Sequence, residues 1–402
     1  FNLPVGTYNL VAKYVPASGD AYPALVCPSQ TLTVNRQATT TALTTTPVST
    51  TSVTYGSAVV IGATVSSTIN GGFPIPFSGT SNIRFLDGAS AIATVGVTDS
   101  GSGNSPSTAT GSFSSASLAS ALAVGTHVIQ AQYQGDGTNY APSNSSTQTI
   151  NVVPASTSII TSDFTASPSR TVASGTSVTL SVKISPDASV QANAQKPSGY
   201  VTFTATPRAG GASTVLGSAP VNALTGVAFV NVTTQAIGSF DVTATYSGDG
   251  NYNSCFVASS YTVASINFAP LASSIIQRGS LLTLTADITP NADSRSNTPL
   301  GSVNFVIPGT TDTIVASVPL AQASNGRYST TIDTGNPAFN LPVGTYNLVA
   351  KYVPASGDAY PALVCPSQTL TVGRQSVTLA GALGSTSIVY GSPVDLINAS
   401  ID

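Results

Sequence analysis

One segment of alternating apolar and polar residues recurs four times along the chain, and it restricts the possible folds more than any other feature. The copies begin at Val5, Val124, Ile237 and Val343, and the first reads VGTYNLVAKYVPASGDAY. A period of two places alternate side chains on opposite faces, which is typical of a β-strand packed on one side. A Gly-Asp pair follows in each copy and favours a tight turn. Each copy is therefore predicted to form a penultimate strand, a turn and a last strand.

The positions within this segment make specific predictions. One alternating set of side chains faces the core, and the aspartate of each turn caps its own backbone. The predicted core residues are Tyr8, Tyr14, His127, Tyr133, Phe240, Tyr246, Tyr346 and Tyr352. The predicted turn residues are Asp20, Asp136, Asp249 and Asp358.

Charge and composition exclude several classes of partner. Charged residues make up 7% of the 402 residues, the formal net charge is -3, and Glu, Met and Trp are absent. The few Lys and Arg are scattered and form no basic stripe, so we expect neither nucleic acid nor an anionic membrane as a partner. No apolar run approaches the length of about 20 residues that a membrane span requires, so we expect no direct membrane insertion.

A near-perfect duplication shows that the chain is repetitive on a larger scale. Residues 1–37 recur as 339–375 with one difference, Asn35 against Gly373, which implies a recent tandem duplication. We expect further repeats of the same polypeptide. The predicted units are 1–37 (the C-terminal half of a domain), 38–153, 154–265 and 266–373 (whole domains), and 374–402 (an N-terminal half). The halves either continue beyond the sequence or complement one another between copies, although the second alternative lacks middle strands.

About seven short strands per unit of about 110 residues, separated by Gly, Pro and Asn, are typical of an antiparallel β-sandwich. The joints between units contain little Gly, whereas flexible linkers are rich in Gly and Ser. The predicted fold is therefore all-β, with tandem immunoglobulin-like sandwiches in an elongated, stiff array.

Several motifs carry a resemblance to a known family. The third strand has the pattern G-x-V-x-F at Gly199 and again at Gly301, and the unit ends on a strand followed by the Gly-Asp turn. In these residues the chain resembles the bacterial immunoglobulin-like repeats of large surface and secreted proteins. The resemblance implies the fold, an extracellular or cell-surface location, and a role as spacer, adhesin stalk or accessory to a secreted enzyme.

His127 is the only histidine, and it could be a general base or a metal ligand. The equivalent residues in the other copies are Tyr8, Phe240 and Tyr346. This position is similar to the tyrosine corner of immunoglobulin-like folds, so a packing role is favoured for His127. The Gly-Asp turns could hold calcium, yet each offers one carboxylate where calcium takes six or more oxygens. We expect no cofactor.

Cys27, Cys255 and Cys365 follow the recurring segment, and no complete unit holds two of them. A disulfide within one domain is therefore excluded. Two alternatives stay open: buried thiols, or a disulfide between domains or between neighbouring chains in an oxidising exterior.

No nucleophile elbow, phosphate loop or pair of catalytic carboxylates occurs. The favoured function is a non-catalytic structural region of a long surface or secreted protein, forming a rod or the body of a fibre that self-associates. The alternatives are an adhesin that binds a surface glycan and the stalk of a secreted enzyme. Glycan binding is disfavoured because Trp is absent and most aromatic residues are predicted to face inward; the loop from Asp99 to Gly111 is the one candidate place.

Overall fold

The computed structural model describes residues 3–46, 52–67, 81–99, 108–233, 236–290, 298–319, 326–339 and 341–376, and the backbone of 379–383 and 396–401. Within these ranges the regular structure is β, apart from short 3-10 turns at Ser115–Ser117, Thr161–Asp163 and Pro337–Phe339. None of the helices described there is long and apolar enough to cross a membrane. Most of the loop from Asp99 to Gly111 lies outside the described residues.

The N-terminal segment consists of two small antiparallel sheets, β1 with β4 and β2 with β3. The strands are β1 (Gly6–Leu10), β2 (Lys13–Tyr14), β3 (Leu25–Val26) and β4 (Gln30–Val34).

The first whole unit is a sandwich of two sheets. Its strands are β5 (Thr39–Thr46), β6 (Val53–Thr54), β7 (Val60–Ser67), β8 (Asn82–Asp87), β9 (Ser90–Gly96), β10 (Thr98–Asp99), β11 (Thr108–Ser114), β12 (Gly125–Tyr133), β13 (Ser143–Asn144) and β14 (Gln148–Val153). One sheet has the order β10-β11-β7-β5 and the other β6-β14-β12-β8-β9, with β13 beside β12. Strand β6 runs parallel to β14, and the other pairs are antiparallel. This is the strand order of an immunoglobulin-like sandwich.

The second unit repeats this plan. Its strands are β15 (Thr157–Ser158), β16 (Thr165–Ser167), β17 (Thr171–Ala173), β18 (Val178–Lys183), β19 (Ser185–Pro186), β20 (Tyr200–Pro207), β21 (Thr214–Pro220), β22 (Val227–Val232), β23 (Gly238–Tyr246) and β24 (Cys255–Phe268). Sheet β16-β18-β22 packs against β21-β20-β23-β24, and β17 runs parallel to β24. The alternation of β18 buries Val178, Leu180 and Val182 and exposes Lys183, as a strand with one buried face requires.

The third unit has the strands β25 (Ile275–Gln277), β26 (Leu281–Thr289), β27 (Ser302–Ile307), β28 (Thr313–Val318), β29 (Arg327–Asp333), β30 (Gly344–Val353), β31 (Leu363–Val364) and β32 (Gln368–Gly373). The sheet β25-β32-β30-β27-β28 faces β26 and β29; β26 pairs with the end of β24, and β29 pairs with β26. Strands β33 (Leu379–Leu383) and β34 (Leu396–Ile401) form an antiparallel pair after it. The predicted fold class is confirmed; the exact unit boundaries stay predictions.

The Gly of the G-x-V-x-F motif is required by a close approach of two strands. A Cβ on Gly199 would lie 2.6 Å from the carbonyl oxygen of Gly248, and one on Gly301 would lie 2.1 Å from that of Val353. Gly199 also has φ +88°, a conformation that residues with a side chain rarely adopt. The motif therefore marks where the third strand passes the end of the penultimate strand.

The duplicated segment shows how much of its burial depends on the rest of a unit. Leu10 is 46% exposed, whereas the same residue in the third unit, Leu348, is fully buried. Burying one leucine side chain is worth about 1.5–3 kcal/mol. The hairpin register is nevertheless the same in both copies, since Gly6 faces Val34 as Gly344 faces Val372. Local sequence sets the hairpin, and the facing strands set its burial.

Some of the predicted core residues are not buried. Tyr14 is 43% exposed because residues 3–34 form no second layer over it, while its counterpart Tyr352 is buried. Tyr8, His127 and Tyr346 are half-buried, and each lies near the start of its strand. The core prediction is therefore wrong for Tyr14 and too strong for these three residues. Tyr133, Phe240, Tyr246 and Tyr352 lie in the cores.

Candidate functional sites in the turns, the strand corner and the joints

The carboxylate of each Gly-Asp turn accepts hydrogen bonds from backbone N–H groups of its own turn. Oδ1 of Asp136 accepts from Thr138, Asn139 and Tyr140 at 3.0, 2.7 and 2.8 Å. Burial by itself raises the pKa of Asp136, but these three donors outweigh it and hold the pKa below its ordinary value. The structure thus places this aspartate in the role of a turn cap.

The turns of the other units are capped in the same way and are also tied to the third strand. In the second unit, Oδ1 of Asp249 accepts from Asn251 and Tyr252 at 2.8 and 2.9 Å. Its Oδ2 accepts from the backbone N–H and the hydroxyl of Ser198 at 2.7 and 2.8 Å. Burial raises the pKa of Asp249, yet the donors, led by the Ser198 N–H, bring it below its ordinary value.

In the third unit, Asp358 accepts from the N–H of Tyr360 at 2.9 Å, from the N–H of Leu300 at 3.0 Å and from the hydroxyl of Tyr352. In the N-terminal segment, Asp20 accepts from the N–H of Tyr22 at 3.1 Å and from the hydroxyl of Tyr14. The tyrosine hydroxyl and then the Tyr22 N–H lower the pKa of Asp20. This pair persists without a second layer, because both residues belong to one hairpin.

One carboxylate oxygen differs from the rest. Oδ2 of Asp136 is buried and has no hydrogen-bond partner within the described residues. In the second and third units, Ser198 and Leu300 donate to the equivalent oxygens. The strand register aligns these two residues with Thr80 of the first unit, which lies outside the described residues. Among the described residues, no group of three or more His, Cys, Asp or Glu side chains is placed to hold a metal ion.

The capped turns also hold the chain where it enters the first and second units. The N–H of Gln37 donates to the carbonyl of Asn139 at 2.7 Å, and the carbonyl of Gln37 accepts from Ala141 at 2.9 Å. Ala155 repeats this arrangement with Asn251 and Asn253, both at 2.9 Å. The residue before each first strand is therefore bonded to the same turn that the aspartate caps.

The residue that opens the penultimate strand bonds to the carbonyl four residues earlier. The hydroxyls of Tyr8 and Tyr346 donate to Pro4 and Pro342, both at 2.6 Å. His127 occupies this corner in the first unit. Phe240, which has no polar atom, occupies it in the second and packs beside the ring of Tyr261, with centroids 6.4 Å apart.

The imidazole of His127 contacts an acceptor with each nitrogen. Nε2 lies 2.7 Å from the carbonyl oxygen of Ala123, and Nδ1 lies 2.6 Å from Oδ2 of Asp87. The other oxygen of Asp87 accepts from the N–H of Val128 at 3.1 Å. Only the doubly protonated ring can donate to both acceptors. Burial lowers the pKa of His127, but the Ala123 carbonyl and Asp87 together raise it above its ordinary value.

A shallow cavity of about 310 Å³ adjoins this histidine. It is lined by Asp87, Ile92, His127 and the segment 118–123. Asp87 and His127 are the only titratable groups in that lining, and both are bonded to one another. Both ring nitrogens of His127 are taken up by these contacts, so the pair forms a pH-dependent structural contact.

The three cysteines are free thiols, and they fall in two different positions. Sγ of Cys365 is buried and accepts from the N–H of Ala350 at 3.1 Å, and Cys27 does the same for Ala12. In the first unit the hydroxyl of Ser145 accepts from Ala131 at 2.9 Å in the same place. This sulfur or oxygen replaces a backbone acceptor where the last strand is interrupted.

Cys255 lies instead in the unbroken ladder of β24, opposite Tyr246. Burial raises the pKa of the thiols of Cys255 and Cys365. Because all three thiols are free, the alternative of a disulfide between domains is not realised here. A disulfide between chains stays a prediction.

The joint between the first and second units contains a residue that the sequence did not single out, Tyr55. Its buried ring meets the ring of Tyr252 edge-on, with centroids 5.5 Å apart and an interplanar angle of 84°. The N–H of Gln195 donates to the Tyr55 hydroxyl at 3.0 Å, and the Tyr252 hydroxyl donates to the carbonyl of Gln195 at 2.6 Å. Burial raises the pKa of Tyr252 to about 12, so this donor is protonated at neutral pH.

Residues 187–197 of the second unit, which we name the brace loop, supply the rest of this joint. The side-chain amide of Asn193 donates to the carbonyls of Ser115 and Leu118 at 3.0 and 3.2 Å. The N–H of Gln191 donates to the carbonyl of Gly56 at 2.8 Å. A Cβ on Gly56 would lie 2.8 Å from a methyl of Val190, so glycine is required at that close approach.

The joint between the second and third units uses a continuous strand. Residues 255–263 of β24 pair with β23 in the second unit, and Ser265–Phe268 pair with β26 in the third. The strand is uninterrupted over its 14 residues, and the cores of both units receive side chains from it. A strand bonded at both ends has no linker residue at which to bend.

Comparisons with known proteins agree with this architecture. Residues 164–264 match the family model of the bacterial Ig-like domain (group 3), which confirms the resemblance over the second unit. A search of the curated proteins gave no match. With their sandwich topology and this match, the units are of the Ig-like repeat type, which is typical of surface and extracellular proteins.

Solved structures of repeat proteins resemble the chain at low identity. Three N-terminal domains of the outer capsid protein Hoc of bacteriophage RB49 are 10% identical over 84% of this chain and 100% of theirs, with a TM-score of 0.33. The I67–I69 fragment of titin is 12% identical over 81% of this chain and 96% of that fragment, with a TM-score of 0.33. A structure from a 1.5-MDa bacterial ice-binding adhesin is 16% identical over 85% and 100%, with a TM-score of 0.24. At these scores the likenesses carry no argument about function.

Proposed function

We propose that this chain is a stiff, non-catalytic spacer within a longer extracellular or cell-surface protein, and that it holds other parts of that protein at a distance. The observation that carries the proposal is the continuity of β24, which belongs to the sheets of two units at once. At about 3.3 Å per residue, its 14 residues span about 46 Å. This is longer than a strand that belongs to one unit alone needs to be.

The other joints support the same role. The brace loop fixes the second unit to the first through Asn193 and Gln195, and the capped turns fix the entering chain at Gln37 and Ala155. Each of these contacts uses hydrogen bonds between uncharged groups, which salt does not screen. A rod built this way keeps its length over a wide range of ionic strength.

Two ion pairs also link neighbouring parts of the sheets. Arg208 pairs with Asp241 at 2.9 Å, and Lys351 pairs with Asp312 at 2.5 Å. These pairs lie on the outer faces of sheets, where an ion pair contributes about 0–1 kcal/mol. They orient neighbouring strands and leave no cluster of converging acids in the described residues.

Small-angle X-ray scattering of the whole chain tests the proposal. We expect one narrow distribution of maximum dimension that is unchanged between low and high salt. Insertion of Gly-Gly-Ser after Ser265 should broaden the distribution and shorten its mean, because it interrupts β24 at the crossing. The same insertion between Gly210 and Gly211, in an exposed turn away from the joints, is the matched control and should change nothing. A wild-type chain that already scatters as a flexible string, with no further effect of the first insertion, would contradict the proposal.

Self-association of such rods into a fibre stays a prediction. Sedimentation of the whole chain in low and high salt checks it, since contacts between uncharged faces should persist when ions are screened.

A further inference from the structure

The second unit exposes large apolar side chains on the solvent face of its β21-β20-β23-β24 sheet. Tyr200 is 59% exposed, Val215 is 68% exposed and Phe256 is 72% exposed. We name this surface, from Tyr200 across to Phe256, the outer face. Large apolar residues on the outside of a sheet are informative when they gather on one surface.

The strand register fixes how these side chains are arranged. Tyr200 lies beside Ser247, while Phe256 lies opposite Thr245 on the next strand. Thr202 pairs with Thr245, so Thr245 on β23 lies between the strands that carry the two aromatic residues. With strands about 4.8 Å apart and residues rising about 3.4 Å, the Cα atoms of Tyr200 and Phe256 are about 12 Å apart.

The fold does not require aromatic residues at these positions. The residue that corresponds to Tyr200 is Asn82 in the first unit and Ser302 in the third, each one place before the strand's first buried residue. The residue that corresponds to Phe256 pairs with the position before the last tyrosine of the penultimate strand. It is Asn144 in the first unit and Val364 in the third. The aromatic pair is thus particular to the second unit.

The surface between the rings is uncharged and rich in hydroxyl groups. Thr202 and Ser218 bond to one another at 3.3 Å, and Thr243 and Thr245 present two further hydroxyls. The one acidic group of the face, Asp241, is neutralised by Arg208 at the far end. An anionic partner such as nucleic acid would find no cation near the rings, so the chemistry fits an uncharged ligand.

We propose that the outer face of the second unit binds a neutral polysaccharide. Sugar rings combine apolar C–H faces, which pack on aromatic rings, with hydroxyls, which bond to threonine hydroxyls. A spacing of about 12 Å between the aromatic positions suits an extended chain that rests on both rings at once, with intervening sugars above Thr245. This site goes beyond the spacer role and does not depend on the stiffness of the joints.

Binding of the whole chain to a panel of soluble polysaccharides tests the proposal. The neutral probes are mixed-linkage β-glucan, xylan, galactomannan and dextran, and heparin is the anionic probe. In affinity electrophoresis we expect at least one neutral probe to retard the protein, equally at low and high salt. We expect no retardation by heparin.

Substitutions taken from the sister units identify the surface. Tyr200→Asn and Phe256→Val introduce residues that the first and third units carry there, so thermal unfolding should stay within about 2 °C of the wild type. Each should weaken binding about tenfold, and together they should abolish it. Val364→Ala, at the equivalent position of the third unit, is the control and should bind as the wild type does.

Three results would overturn the proposal: no retardation by any neutral probe, binding that survives in the double variant, or binding to heparin that salt removes. A second copy of this chain is the other possible occupant. If sedimentation shows the wild type dimerising and the double variant monomeric, with no probe bound, the outer face is an interface between copies instead.

Discussion

His127 should make the stability of the first unit depend on pH in the range where few other groups titrate. The ring needs two protons to donate to both Ala123 and Asp87. The neutral ring keeps one of those hydrogen bonds and faces the other acceptor with a lone pair. Because the pKa is raised in the folded state, the stabilisation is complete below about pH 6.5, the unfolded value, and is lost as the pH rises through the folded value.

The size of the effect follows from the bond that is lost. A hydrogen bond to a charged group contributes about 1.5–3 kcal/mol and a neutral one about 0.5–1.5 kcal/mol, so neutralising this half-buried ring should cost about 1–2 kcal/mol. For a unit of this size that corresponds to about 4–8 °C in the transition temperature. The first unit should therefore unfold at a lower temperature at pH 9 than at pH 5.5.

The residues at the equivalent position of the other units suggest control substitutions for His127. His127→Tyr should restore the corner bond to Ala123, as Tyr346 does with Pro342, and should remove the pH dependence. His127→Phe copies Phe240; it should lose both ring bonds and be less stable than the wild type at pH 5.5. Calorimetry of the whole chain at several pH values follows the first unit's transition.

Because His127 is the only histidine, its imidazole proton resonance can be titrated without assignment. We expect a midpoint above that of an unfolded peptide. A midpoint at or below the ordinary value, with a first transition that does not change between pH 5.5 and 9, would refute the reasoning.

Other substitutions probe the turns, the thiols and the joint. Asp249→Ala should lower the free energy of unfolding by about 2–3 kcal/mol at pH 7, because it leaves N–H groups of the turn without acceptors. Since the pKa of Asp249 is lowered in the folded state, this contribution is present above the ordinary carboxyl range and is lost as the pH falls. Urea unfolding should therefore show a smaller difference between the variant and the wild type at pH 3. Cys365→Ser should be nearly neutral because Ser145 serves the same role in the first unit, whereas Cys365→Val should cost about 1–3 kcal/mol, measured by urea unfolding. A thiol reagent should modify Cys365 only as fast as the third unit opens, since the sulfur is buried and its pKa is raised. Tyr55→Ala should lower the transitions of the first and second units together, since its ring packs on Tyr252, while Ser57→Ala in the same turn should change little.

The fold could be predicted from the sequence because its signals are local. Alternation of period two survives in every copy of the recurring segment, and the Gly-Asp turn carries its own cap at Asp136 and Asp249. Even the N-terminal copy keeps the bond from Tyr8 to Pro4 and the hairpin register without a second layer. Interactions within a few residues are encoded where they act.

Burial and joint contacts were harder to predict because they depend on residues distant in sequence. Tyr14 and Tyr352 have identical neighbours in the sequence, and only the facing strands make Tyr14 exposed and Tyr352 buried. Tyr55 contacts Gln195, which lies 140 residues away. A signal for it did exist, since Tyr-Gly-Ser recurs at Tyr390, which lies outside the described residues.

The polar partner of His127 and the exposed aromatic rings of the outer face show a second limit of prediction from sequence. Asp87 lies 40 residues before His127, so only the strand register reveals the pair. The adjacency of the strands that carry Tyr200 and Phe256 is likewise a tertiary fact. Period-two patterns assign faces and cannot by themselves assign neighbours.

Residual dipolar couplings of the whole deuterated chain test the central claim most directly, because they report the orientation of each unit relative to the others. If β24 and the brace loop join the units rigidly, couplings from 38–153, 154–265 and 266–373 should fit one alignment tensor with one magnitude. Separate tensors of different magnitude for the three units would show independent motion and would contradict the account.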